Sequence, residues 1–451
     1  MLNRTVVLLA LLLSSQCISD VMGQRPSRVD VPTKGGRVNT GSRRMAYRQT
    51  HLPSEQYPIL PDGQSSAASI KGVSYEEVPQ QAVLAMDHGT SSCSCAHCQP
   101  QSYPVAWAKA EYLLWWTRGI DVPALATSSA AGTSQADAGV LGLATTDVLF
   151  GDAGLVNESR SGGRYSLGFW LDPCSSLEAT YIRLGSENET FSASDSDFPI
   201  LTRPFFNTQN DANESHLVAF PGVASGSLDI ELTTEFQTLE VLVRRKLQSG
   251  QNSNVDYLWG YRYADLSDGL RLSESTVLLA PAAQGATIAL FDQFDTSNEF
   301  HGGELGFVTR WQSNPCLTGE LVAKLALGST TSQVNVTGET TSSVGGTSNI
   351  VPGGLLAQAS NIGQREKQSF SAIAEFGFNL RRRFTPRVMG TFGYTFLYWS
   401  EVARVGDQLD LSINTTQIPP GTLSGEARPS PRLETTSFWA QGLNVGLEVA
   451  F

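Results

Sequence analysis

The densest chemistry in this sequence is the hexapeptide CSCAHC, which sets Cys93, Cys95 and Cys98 beside His97, with His88 a short way upstream. Thiolates and imidazole are soft metal ligands, but this spacing matches no standard zinc pattern, and haem attachment requires CxxCH. Two further cysteines, Cys174 and Cys316, each follow a proline. In an exported chain the ordinary chemistry of such residues is disulfide formation, so Cys93, Cys95, Cys98, Cys174 and Cys316 are candidate disulfide partners. Five is odd, so one thiol is left over or pairs with another chain. A metal site, or no defined role, remain the other readings.

Carboxylates form the second concentration. Glu187 to Glu235 holds nine acids against one arginine, including Asp195 and Asp197 in the run DSD. Such oxygen-rich loops suit calcium, yet the spacing is not that of an EF-hand. The default is a solvated acidic surface, with calcium near Asp195 and Asp197 as the alternative and no other cofactor expected. Nucleophilic catalysis has little to draw on. The histidines are His51, His88, His97, His216 and His301, and none has a nucleophile motif beside it. No enzyme is expected.

What positions these residues is read from the pattern around them. Arg4, the apolar stretch Thr5–Leu13 and the small-residue site Val21-Met22-Gly23 read as a signal peptide over 1–23. A lipoprotein reading at Cys17 fails because Gln16 stands where a small residue is wanted. Residues 24–104 are rich in Pro, Ser, Gln and Gly and show no period. They read as a disordered periplasmic segment, or as a basic tether to an anionic polymer or lipid, since Arg25, Arg28, Lys34, Arg37, Arg43, Arg44 and Arg48 face only Asp30. The 451 residues are 41% hydrophobic and 16% charged, with a net charge of −12. That acidic balance argues against a nucleic-acid partner. No run of about 18 apolar residues follows the signal, so no transmembrane helix is expected.

From Trp107 onward the sequence alternates with a period of two, which puts successive side chains on opposite faces of a strand. Ten such runs predict an all-β fold, an antiparallel transmembrane barrel of 10–12 strands over 105–451. Short turns alternate with long connections: Asp121–Glu158, Asn188–Gly226, Ser273–Asn298, Thr330–Arg365 and Gly406–Thr436. That asymmetry is the habit of outer-membrane barrels, with turns in the periplasm and loops outside. Parity sends Tyr112, Trp116, Tyr165, Leu167, Phe169, Leu325, Phe376, Phe378, Tyr394 and Tyr398 outward. It sends Lys109, Glu111, Arg164, Glu178, Arg262, Glu304, Arg310, Glu320, Lys324, Glu375, Arg381 and Glu448 into the lumen. The chain ends on an alternating strand whose Leu447, Val449 and Phe451 have the form of an assembly signal.

Several stretches go further. AEYLLWWTRG (Ala110–Gly119), VLFGD (Val148–Asp152), SGGRYSLGFWLD (Ser161–Asp172), YLWGYRYADL (Tyr257–Leu266) and FHGGELGFVTRW (Phe300–Trp311) resemble the beta-barrel porin-7 family of planctomycete bacteria. The resemblance covers about 105–451 and implies a barrel in the cell outer membrane, with no established substrate and no catalytic motif. Expected partners are outer-membrane lipid and the barrel-assembly machinery. Barrel width sets the expectation for function. About eight strands leave an interior that side chains fill, and 16–18 leave an aqueous channel. At ten strands with charged inward residues, a largely plugged lumen follows. The two readings are a porin-like narrow channel for passive passage of small solutes or ions, and a structural or adhesive surface barrel without transport.

Overall fold

A computed structural model describes residues 105–451 apart from 282, 419 and 420. The expected signal peptide, the 24–104 segment and Cys93, Cys95 and Cys98 lie outside the described residues.

Ten strands form one ring: β1 Ala106–Thr117, β2 Ser159–Asp172, β3 Ser175–Ser194, β4 Ala224–Ser249, β5 Ser253–Leu278, β6 Thr287–Asn314, β7 Leu317–Val344, β8 Gly363–Arg383, β9 Val388–Val402 and β10 Thr436–Ala450. Each pairs antiparallel with its sequence neighbours, and β10 pairs with β1 from Trp107↔Ala450 to Thr117↔Ala440. Full closure leaves the ring without an unpaired edge. The seam continues just outside the two strands, where Val105 N–H donates to the Phe451 carbonyl at 2.9 Å.

Short turns after β2, β4, β6 and β8 share one end with both ends of the described chain. Two of them are built alike. Asp172 Oδ1 accepts the Cys174 N–H at 2.7 Å, and Asn314 Oδ1 accepts the Cys316 N–H at 2.9 Å. A side-chain acceptor two residues before the donor mimics a backbone turn and fixes the reversal locally.

The opposite end departs from expectation. The segment Ser273–Asn298, read as a loop, is mostly wall: β5 runs to Leu278 and β6 begins at Thr287. Likewise β7 reaches Val344 and turns at Gly345 and Gly346, whose φ of +58° and +82° suit glycine, before Thr347–Pro352 pairs back onto it. The strands β4 to β7 are therefore 26 to 28 residues long, where about 9–11 suffice to cross a bilayer. The long run in β4 carries register shifts at Thr234/Phe236 and Lys246/Gln248.

The reason the extensions escape a reading by parity lies in their side chains. Along β5 the outward residues are Tyr257, Trp259, Tyr261 and Tyr263, then Asp265, Ser267, Gly269, Arg271 and Ser273. The buried ones include Asp256, Leu258 and Arg262, then Leu266, Leu270 and Leu272 interleaved with Asp268 and Glu274. Near Ala264 the strand thus exchanges an apolar outside for an apolar inside. The neighbouring strands do the same: Leu305 and Phe307 are exposed near one end of β6, and Phe294 is buried towards the other. A period-two search tuned to apolar-out loses the strand where the preference reverses.

The remaining long connections fold together. Leu201–Asn207 pairs with Ala212–Ala219, with Ala126–Ser129 and with Ser412–Ile413, while Thr146–Phe150 extends this small sheet and Ile120–Val122 pairs with Ala153–Leu155. Its apolar side chains, among them Leu125, Phe150, Leu201, Phe205, Leu355 and Leu409, share one core with the inward Leu228, Ile230, Leu232, Leu270, Leu272, Phe294, Val334 and Val336 of the ring.

Candidate functional site: the filled lumen

Pleat parity carries the charged residues of the short-turn half to the interior, and they meet there as a bonded layer. Arg262 on β5 is fully buried. It binds Glu240 on β4, Glu304 on β6 at 3.0 Å and Glu375 on β8 at 2.5 Å. The last contact skips β6 and β7, so it crosses the interior rather than following the wall. Lys324 on β7 reaches Glu375 at 3.0 Å and Glu240 at 2.6 Å. From the other side Arg164 on β2 meets Glu375 at 3.8 Å and Glu111 at 3.6 Å, and donates to Thr395 Oγ1 at 3.2 Å. Lys109 binds Glu111 at 2.9 Å.

Nearer the short turns a second group follows. Arg244 joins Glu178 at 2.7 Å and Asp256 at 3.5 Å; Arg310 joins Asp256 at 3.3 Å and Glu320 at 2.7 Å. Arg381 links Glu320 at 3.1 Å to Glu448 at 2.5 Å. A charge held away from water needs a partner, and removing one partner of a buried pair costs about 3–5 kcal/mol. All twelve charged residues assigned inward from parity lie in this network. Glu240, Arg244 and Asp256 belong to it and were missed. Their signal was present, since Leu239 and Val241 are exposed and flank Glu240.

Above the charges the interior turns apolar. Leu113, Trp115, Ile182, Leu184, Phe236, Leu266, Phe300, Ile373, Leu397, Trp399, Phe438 and their neighbours form a buried cluster drawn from every strand except β2. Rings touch across the interior here: Phe236 on β4 and Phe438 on β10 lie 5.1 Å apart, and Phe300 on β6 meets Trp399 on β9 edge-on at 6.1 Å. The inward parity is therefore not uniformly polar, which corrects the simple apolar-out, charged-in picture. The two layers are stitched together. The Arg164 guanidinium lies 5.5 Å from the Trp115 ring, and Trp115 Nε1 donates to Asn444 Oδ1 at 2.8 Å.

Beyond this cluster sits the folded insert, fixed to the wall by buried polar bonds. Asn298 of β6 exchanges two hydrogen bonds with the Ala403 backbone, at 2.8 and 2.7 Å. Arg404 binds Asp268 of β5 at 2.7 Å, and Arg203 binds Asp292 of β6 at 2.5 Å. From the short-turn end, three cavities of about 220, 240 and 80 Å³ follow one another inward, the first two sharing Arg310, Arg381 and Met389. The innermost of the three is lined by Glu240, Lys324 and Glu375 of the ion-pair layer.

The other candidates fall elsewhere. Cys174 is buried and Cys316 exposed, both in short turns. Asp195 accepts from Ser225 Oγ at 2.5 Å, and Asp197 from Ser194. His301 faces outward and bonds Tyr261 at 2.5 Å, while His216 of the insert bonds the inward Glu274 of β5, so the two rings do not converge. Leu447 and Phe451 are exposed on the outer face and at the chain end, and Val449 is half-buried beside the seam.

Residues 107–451 match the family model described as "Putative beta barrel porin-7". No curated protein matches the chain. Among solved structures, it is similar to the outer membrane protease OmpT from Escherichia coli at 9% identity, over 78% of this chain and 99% of that one, with a TM-score of 0.36. A Pseudomonas aeruginosa FadL homologue matches at 8% identity, over 78% and 91%, with a TM-score of 0.22. An anion-selective porin from Comamonas acidovorans matches at 10%, over 77% and 98%, with a TM-score of 0.18. Likenesses this distant carry no argument about function.

Proposed function

Because this chain belongs to the putative beta barrel porin-7 family, we propose that it is an outer-membrane barrel whose lumen is shut, serving at the cell surface as a structural or adhesive protein. The short turns face the periplasm and the folded insert faces outward. The observation that carries this reading is the apolar cluster spanning the interior, with Phe236 against Phe438 and Phe300 against Trp399. Water and ions have no favourable place among those rings. Support for a bilayer setting comes from the exposed Tyr165, Leu167, Phe169, Leu305, Phe307, Leu325, Phe376 and Phe378 on one level of the ring. Below that level, the Cys174 and Cys316 turns share an end with residue 105, which favours disulfides that tie the preceding cysteine cluster to the barrel mouth.

A second reading has one specific observation behind it. The charge-lined vestibule running inward from the short-turn end is the beginning of a narrow ion or solute path. Single-channel recording separates the two. The full chain, refolded and checked by heat-shifted gel mobility, is expected to be silent in a planar bilayer, and a version starting near Gln101 equally so. Reproducible conductance steps in either would replace the closed-barrel reading with the channel.

A further inference from the structure

Outside the lumen network, one cluster of buried charges joins the insert to the wall through a half-buried histidine. His216 and Arg203 stand directly opposite one another on the hairpin Leu201–Asn207/Ala212–Ala219. The wall answers with two acids. Glu274 of β5 takes His216 Nε2 at 2.8 Å and Arg203 at 3.5 Å, and Asp292 of β6 takes Arg203 at 2.5 Å. The second Asp292 oxygen accepts the backbone N–H groups of Leu356 and Ala357 at 2.9 and 2.7 Å, so the same acid also holds the 353–362 segment. Arg203, Glu274 and Asp292 are almost wholly buried. The third wall strand against the hairpin, β4, presents Leu228, Ile230 and Leu232 inward and Asp229 and Glu231 on its opposite face.

The charge balance decides what this arrangement does. One arginine against two carboxylates leaves the group one negative charge in excess, and only a protonated His216 cancels it. A buried unbalanced charge is costly, so protonation and seating of the hairpin are linked. We propose that this cluster is a proton-operated latch, which holds the 201–219 hairpin and the 353–362 segment against the barrel wall and loosens them when His216 loses its proton.

The position lies well beyond the outward apolar belt, which ends near Tyr263 on β5. Burial disfavours a charged ring there, but the Glu274 carboxylate outweighs it and raises His216 above the ordinary histidine value. Burial likewise opposes a charged Glu274, and His216 and Arg203 hold it below the ordinary glutamate value. For a raised histidine, the stabilisation is complete below about pH 6.5 and is lost as pH rises through the folded value. For the depressed Glu274 it is lost at the acid side, as pH falls through its folded value. The latch is closed between those limits and opens on the alkaline side.

Hydrogen exchange by mass spectrometry on the full chain in micelles tests this, with rates corrected for intrinsic pH dependence. Protection of peptides covering 201–219 is expected to fall about 10-fold between about pH 6 and about pH 9, as His216 loses its proton. Peptides in 238–249 should hold steady. His216→Gln should show the loosened level at both pH values, and His216→Lys should keep the protected level at both. A flat wild-type profile for 201–219 would overturn the latch whatever the variants do. So would a wild-type-like pH dependence surviving in a folded His216→Gln chain.

Discussion

The two halves of this ring are filled on opposite principles. Toward the short turns the outside is aromatic and aliphatic and the inside is a lattice of Arg, Lys, Glu and Asp. Toward the insert the outside carries Glu235, Asp265, Ser267, Asp295 and Ser297, while the inside carries Leu228, Leu232, Leu270 and Phe294. The same four strands build both. What reverses is the medium each half faces: in lipid, polar groups are satisfied only inward, and in water, apolar groups are best hidden there. A single β-strand obeys both rules in turn because its two faces are independent. The apolar cluster around Phe236 and Trp399 marks the crossover, where the interior has changed sign.

The contrast can be broken most severely from inside. Arg262→Ala leaves Glu240, Glu304 and Glu375 facing one another and should cost about 3–5 kcal/mol, read as a lowered urea midpoint in micelles. Phe236→Ala attacks the crossover. It should lose about 3–5 kcal/mol through lost burial and a residual cavity. A pair of outward substitutions sharpens the boundary. Leu305→Arg in the apolar belt should cost about 2–4 kcal/mol. Ser297→Arg on the same face of the same strand, beyond the reversal, should stay within about 0.5 kcal/mol. Equal costs for these two would show that the outer face has no such boundary. Among the changes expected to destabilise, the smallest belongs to the insert. Burial opposes a charged Asp410, but the Ser430 and Ser412 bonds and Arg432 hold it below the ordinary aspartate value. Its contribution is therefore present above about pH 3.9 and lost as pH falls through the folded value. Asp410→Asn should cost about 1 kcal/mol at neutral pH and nothing extra in acid, as melting curves at the two pH values would show.

How much of this was legible before the structure depends on which half is asked. The belt half reads directly from parity: Tyr165, Leu167 and Phe169 against Arg164, or Phe376 and Phe378 against Glu375. Glu240 and Arg244 lay in the same register but inside a long run broken by bulges, where the frame is easily lost. Ser273–Asn298 and Thr330–Arg365, much of the projecting half, were taken for loops because their polar outside and apolar inside invert the pattern used to find strands. The insert could not have been read locally. Phe205, Leu355 and Ile413 come from three separate connections and become a core only once the ring brings them together. The latch had no sequence signal beyond a histidine in an acidic stretch.

The seam between β1 and β10 sets an order of events. Trp115 and Asn444, bonded across it, are 329 residues apart along the chain. The other ring pairings link consecutive strands, so hairpins such as β4–β5 can form as soon as their own residues are available. The closing pairing waits for β10. Joining ends so distant adds little free energy, since each doubling of loop length costs only about 0.6 kcal/mol. It does cost time, and until it happens the ring has two open edges and an exposed apolar belt. Strand β10 is thus a timing element as well as a structural one: the ring is committed to its closed form only when β10 meets β1.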